Sequence, residues 1–289
     1  SMITYILLAT VVPILVAIVL SYMLEGLVGT IKHKYHLSRN IIVMIVYFSF
    51  IFLSLLILFL LIPIMLEQIT LFIKSFPSML EKGKELLQSH TSQHSDLITN
   101  IFASINAEIS SIGKSVISYS LSSASSILET IVYILIVPIL IFFLLYDKLK
   151  INSWFGKFFP EKLDLSKKAY KELDIKIGNY IRCKFIEIII VWVLSTLLFS
   201  LLGLNYSLLL GFLCGISVII PYVGAIVVTI PIIFVAFFQW GTSSIFWYVL
   251  VIHILIQVID GNVIVPILFS DAVNLHPIAI LISILFFGT

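Results

Sequence analysis

A run of 105 residues, Phe185 to Thr289, contains no lysine or arginine and only three carboxylates, Glu187, Asp260 and Asp271. A stretch this long without cations suits hydrocarbon as its solvent. There every backbone N–H and C=O must find its partner inside the protein, which calls for membrane helices. An Asp at the centre of such a helix costs roughly 2.5–3.5 kcal/mol on insertion scales. Glu187 and Asp260, both set inside strongly apolar runs, are therefore functional candidates.

Composition agrees. Hydrophobic residues make up 61% of the chain and charged residues 11%, against roughly 45–50% and 25% in soluble domains. The net charge of +2 decides little, because the distribution of charge matters more than its sum. Cys183 and Cys214 fall at or inside membrane segments and read as small packing residues, with no disulfide framework and no C-x-x-C metal spacing. Ser1-Met2 reads as an expression scar, and the apolar stretch after it is too long for a cleaved signal peptide.

Five regions follow along the chain. Residues 1–66 hold N-terminal membrane helices: Ile3 to Ile31, with Pro13 and Glu25, and Ile41 to Met65, separated by the basic knot Lys32, His33, Lys34, His36 and Arg39. Each reaches the ~20 residues that cross ~30 Å of hydrocarbon. Residues 67–122 are Ser-rich, with four Lys and five Asp or Glu. Within them Ile101, Ile105, Ile109, Ile112 and Val116 recur at steps of three and four, the pattern of an amphipathic helix. His90 and His94 fall in the polar stretch 89–96, which reads as a solvated turn in preference to a metal site. Residues 123–146 form a further span containing Pro138, and 147–184 form a charged helical segment with ten Lys or Arg and five Asp or Glu. The positive-inside bias places 32–39 and 147–184 in the cytoplasm and the 67–122 insertion outside. The charged segment reads as a solvated helix or as one touching anionic lipid.

Residues 185–289 read as the transport core. One span ends at Gly203. The uncharged run 208–239 would be about 48 Å long as one straight helix, so Pro221 and Gly224 are expected to fold it into a hairpin. Gly261 and Pro266 are expected to break the next apolar run, with Pro277 further on. Paired Gly/Pro-interrupted segments point to a transporter site, although ordinary loops would give the same pattern. The fold class is thus all-α, a polytopic membrane protein of about six to eight membrane segments with broken hairpins and a helical extracytoplasmic insertion.

Asp260 heads the candidate residues, either as a proton or cation carrier beside a helix break or as an interfacial helix cap. Asn262 offers both donor and acceptor to a polar ligand. Gln257 precedes Asp260 by three positions on one helical face, and His253 either extends that patch or sits in the core. Tyr222 lines a cavity or anchors at the interface. Lys184 is three positions before Glu187, the spacing of a local ion pair, and Gly211 with Gly215 make a small-x-x-x-small face.

Several phrases together resemble the autoinducer-2 exporter family, the PerM-like transporters of bacteria. They are Tyr180-Ile181-Arg182, Ile220-Pro221-Tyr222-Val223-Gly224 with Ile230-Pro231, Asp260-Gly261-Asn262-Val263-Ile264-Val265-Pro266, and Leu275-His276-Pro277. Where the family has Gly-Gln after Tyr-x-Arg, Cys183-Lys184 stand here, and Asp260 occupies a position where Glu is common. The family's first hydrophobic segment and its final Gly-rich helix are expected to be shortened or missing. The resemblance implies a multi-pass carrier of the bacterial inner membrane with about eight spans, assembled as a homo-oligomer, with a pentamer as the candidate form. It also implies export of an autoinducer-2-like furanone, or of sodium or lithium in exchange for protons.

No nucleophile–base set, Walker-type phosphate loop or zinc spacing occurs in the chain. The expectation is a secondary carrier and not an enzyme, without cofactor or metal. Its partners would be the lipid bilayer, a small polar solute or cation, and its own copies, with no nucleic acid. A non-transporting membrane scaffold is the alternative from another class.

Overall fold

The computed structural model describes residues 2–35, 37–88, 124–156 and 164–269, together with positions 103, 104, 107 and 111. The amphipathic 97–117 stretch, the His90/His94 pair, Asp271 and Pro277 lie outside the described residues. Among those described, the chain forms α1 (Met2–Lys34), α2 (Arg39–Gln88), α3 (Ala124–Tyr146), α4 (Lys148–Gly156), α5 (Asp164–Leu201), α6 (Ser207–Ser217), α7 (Val223–Trp240) and α8 (Ser244–Ile259). A π-helical turn, Asp260–Ile264, then leads into α9 (Val265–Phe269). Five of these stretches are long and apolar enough to cross a membrane: Val11–Lys34, Arg39–Lys82, Glu172–Leu201, Val223–Trp240 and Ser244–Phe269. Tyr133–Tyr146 and Ser207–Ser217 are shorter apolar helices. The polytopic all-helical reading holds.

Contacts divide the chain into two compact units. The first comprises Ser1–Ser49, Ile136–Glu187 and Ile259–Thr289. Its core contains Ala17, Leu24, Val28, Ile42, Val43, Ile141 and Leu145, all nearly inaccessible. Charge organises one end of this unit. Arg39 bonds both carboxylate oxygens of Glu25 at 2.9 and 3.0 Å and donates to the Leu145 carbonyl at 3.1 Å, covering one of the orphan acceptors that close α3. The Tyr22 hydroxyl donates to Asp174 at 2.6 Å. The basic knot and the charged 147–184 segment therefore meet at the same end of this unit.

The second unit comprises Phe50–Leu135 and Ile188–Val258. Here the expected hairpin is present. α6 stops at Ser217, and α7 starts at Val223 after a turn through Pro221. The Val223 N–H donates to the Pro221 carbonyl at 2.7 Å, closing a three-residue turn around Tyr222 at φ 64°, ψ −52°. That is close to the strained form of the γ-turn. Gly224 then lies directly on the Ser217 backbone, where a Cβ would overlap the carbonyl. Gly211 and Gly215 let α6 approach α5 just as closely: a Cβ at 211 would meet the Thr196 backbone, and one at 215 the Ile188 carbonyl at 2.8 Å. The small-residue face is used.

α2 continues past the expected end of its span at Met65, with 50 residues in all. Its later turns bury Phe76, Met79 and Leu80 against Phe238, with Phe72, Tyr206, Phe234 and Phe237 around them. Phe76 and Phe234 stack at 5.0 Å between centroids, and Ser75 and Tyr206 share a 2.6 Å hydrogen bond. The Leu209 N–H donates to the Gln68 side-chain oxygen at 3.0 Å, which satisfies one of the free donors at the start of α6. The turns of α2 from Gln68 to Leu80 thus pack against the hairpin.

Candidate functional site

At Asp260 the structure differs from expectation. Gly261 and Pro266 do not break the helix, which widens by one residue and continues. The Val265 N–H reaches back five positions to the Asp260 carbonyl, the π pattern. The cause is Pro266. It has no N–H to give to residue 262, and in a regular α-helix its ring would collide with that carbonyl. Opening the turn removes the collision without leaving the helix. Single π turns of this kind recur at functional sites.

The widened turn presents Asp260 inward, with 9% of its surface accessible. Asn262, two residues on, is exposed. In the same unit the middle of α5 packs against α9. Tyr180 meets Phe269 with ring centroids 5.5 Å apart. Lys184 Nζ lies 5.5 Å from the centre of the Phe269 ring, a cation–π distance. The Cys183 thiol donates to the Leu268 carbonyl at 2.9 Å. The Cys183 side chain thus makes a contact between the two helices.

Lys184 also closes an ion pair with Glu187, at 2.9 Å to one carboxylate oxygen and 2.8 Å to the other. The Glu187 side chain is 2% exposed and that of Lys184 15%. Asp260 lies within electrostatic range of both Lys184 and Glu187. Two carboxylates and one ammonium among the described residues are therefore close enough to interact, one more formal negative charge than positive. Among the described residues, Asp260 Oδ1 has no hydrogen-bond partner. Taking unpaired charge out of water costs several kcal/mol per ion, so burying this grouping is costly. Glu187 was a candidate from the sequence, and its expected ion pair with Lys184 is present; what was not expected is that the pair lies near Asp260. The i, i+3 spacing at the edge of the charge-free run was the signal for the pair.

Gln257 and Tyr222 belong to the second unit. The side-chain nitrogen of Gln257 is buried without a hydrogen-bond partner among the described residues, and Tyr222 is 72% exposed at the tip of the α6–α7 hairpin. Pro221 and Gly224 shape that hairpin. His253 is a core residue, 2% exposed, with Nε2 2.9 Å from the Thr229 hydroxyl. Because Thr229 donates its own proton to the Ala225 carbonyl at 2.7 Å, the imidazole is the donor in that pair. No group of three His, Cys, Asp or Glu suited to a metal ion occurs among the described residues.

Comparison with known proteins places the chain in a family. The sequence profile described as AI-2E family transporter matches residues 1–289. A protein of Escherichia coli (strain K12) named as a permease, PerM, is 38% identical over 282 residues, spanning 96% of this chain and 79% of its own length. Two Bacillus subtilis (strain 168) proteins named as transport proteins are more distant. YrrI is 23% identical over 95% of this chain and 78% of its own length. YueF is 24% identical over 96% and 77%. With its helices long and apolar enough to cross a bilayer, the chain is a multi-pass membrane protein and belongs to the AI-2E family of transporters.

Proposed function

We propose that the protein is a secondary carrier that exports a small polar solute of the autoinducer-2 type across the bacterial inner membrane. It works by alternating access, with Asp260 carrying the coupling ion. The observation behind this reading is the buried group of Lys184, Glu187 and Asp260. Lys184 is already committed to Glu187 at 2.8 Å, so the excess negative charge rests on Asp260. A single proton or monovalent cation at Asp260 would neutralise the group, and releasing it would restore the charge. Membrane carriers exploit intramembrane carboxylates in this way. The π turn supports the role, because it sets Asp260 on a widened segment of helix.

Asn262, Gln257 and Tyr222 are the proposed polar contacts for the solute. Pro221, Gly224, Gly261, Pro266 and Pro277 are the proposed pivots of the moving segments. Assembly as a homo-oligomer, with a pentamer as the form to test, completes the reading. A second reading has its own support in the same charge count: a site with one excess negative charge would take sodium or lithium directly, in exchange for protons.

Efflux of autoinducer-2 from proteoliposomes, with and without an imposed proton gradient, tests the proposal. Protein-dependent efflux that responds to the gradient is the expected result. A pH change on adding sodium, without solute efflux, would transfer the reading to cation–proton exchange. Neither signal above empty liposomes would overturn carrier function in favour of a membrane scaffold.

A further inference from the structure

The charged end of the first unit encloses a partly open cavity of about 750 Å3, within the size range of small-molecule sites. None of its lining residues belongs to the Lys184, Glu187 and Asp260 group. Glycines make the room. Gly29 on α1 faces open space, with no atom within 4 Å of where a Cβ would stand. Gly26, one turn earlier, gives way to the Arg182 side chain, which would collide with any Cβ there. Gly178 on α5 lines the opposite wall, and a Cβ there would come within 3.4 Å of Tyr22.

The charge on the wall is unbalanced in a definite way. Both lining carboxylates are committed: Glu25 to Arg39 at 2.9 Å and to Lys148 at 3.9 Å, and Asp174 to the Tyr22 hydroxyl at 2.6 Å and to Lys148 at 3.7 Å. Arg182 is different. Its guanidinium bonds the Asn179 side-chain oxygen and, at 3.4 Å, the Tyr22 carbonyl. Among the described residues no carboxylate lies within ion-pair distance of it. Lys34, also on the wall, has a ring contact with Tyr35 at 5.8 Å and likewise no carboxylate partner among the described residues. Three cations, Lys34, Lys148 and Arg182, thus face two carboxylates, one of which Arg39 already neutralises from outside the wall.

A guanidinium has five donors in a planar fork matched to carboxylate and phosphate oxygens. Arg182 uses only part of that fork, on the wall of a cavity with excess positive charge. We propose that this cavity is an oxyanion-binding site, with Arg182 as the principal ligand and Lys34 as the second cation. It would take the phosphate or carboxylate of a small solute, or the phosphate of an anionic lipid headgroup.

The test is calorimetric titration of the detergent-purified full chain with inorganic phosphate and, separately, with short-chain phosphatidylglycerol. Saturable binding of either ligand is expected. Arg182→Gln should weaken it at least tenfold, and Gly29→Leu, which fills the open space, should weaken it to a similar degree. Phosphate binding would assign a soluble ligand, and binding of the lipid alone would assign a headgroup. Both outcomes support the site. Thermal melting of each variant identifies misfolding, and Gly29→Leu keeps the test sound if Arg182→Gln proves unstable. The proposal is overturned if neither ligand binds saturably, or if folded variants bind as tightly as the original protein.

Discussion

Replacing Lys184 by Met should destabilise the protein far more than replacing its partner Glu187 by Gln. The pair is in contact at 2.8 Å with the Glu187 side chain 2% exposed. At an effective dielectric of about 20, that separation corresponds to roughly 6 kcal/mol of attraction before desolvation is counted. Removing one member of a buried pair generally costs about 3–5 kcal/mol, because the other charge is left uncompensated. In Lys184→Met two carboxylates are stranded, Glu187 and the nearby Asp260, so the loss belongs at the upper end of that range. In Glu187→Gln the amide oxygen still accepts from Lys184, and the ammonium keeps Asp260 as a counter-charge. A loss of about 1–2 kcal/mol is then expected, the scale of a weakened charge-assisted hydrogen bond. The double variant should recover much of the Lys184→Met loss. Thermal and denaturant melts in one detergent, arranged as a double-mutant cycle, measure all three terms. Equal losses below about 1 kcal/mol, as in an exposed ion pair, would refute the three-charge group.

Gly224→Ala should cost at least 1–3 kcal/mol, the usual penalty of overpacking, because the added carbon meets the Ser217 backbone, which cannot rotate away; a melt reads this directly. Gly261→Ala meets no atom within 4 Å and should stabilise by up to about 1 kcal/mol through helix propensity. If Gly261 is a pivot, that variant melts higher yet transports more slowly. Tyr222→Gly should relieve part of the roughly 1–3 kcal/mol held in a non-glycine residue at positive φ, and raise the stability measured by melting by up to about 1 kcal/mol. Its flux tests whether the Tyr222 hydroxyl touches solute.

The hairpin was legible in the sequence because Pro221 and Gly224 act locally: one fixes a turn, and the other permits contact between backbones. The turn at Asp260 was legible as a disturbance but not as its kind. A missing N–H at Pro266 can break a helix or widen it, and the sequence around it does not distinguish the two. α2 passes through residue 66 because Phe72, Phe76, Met79 and Leu80 keep a helical stripe after overall hydropathy has fallen, so a boundary drawn from hydropathy cuts a continuous element. The grouping of Asp260 with Lys184 was least legible. It joins residues 76 positions apart in the sequence through packing between helices, which no local period encodes. Arg182 illustrates the same limit. As part of a Tyr-x-Arg phrase it marked the family, but its place on a cavity wall depends on Gly26 of another helix.

Gradient-driven flux through Asp260→Asn in proteoliposomes tests the role of Asp260 most directly, compared with the original protein at matched reconstitution and matched melting temperature. The substitution keeps the size of the side chain and removes its charge. Solute efflux should then persist at most as slow, gradient-independent leakage, with the response to an imposed proton or sodium gradient abolished. Full gradient-dependent efflux in Asp260→Asn would contradict the account and leave the buried charges a structural role.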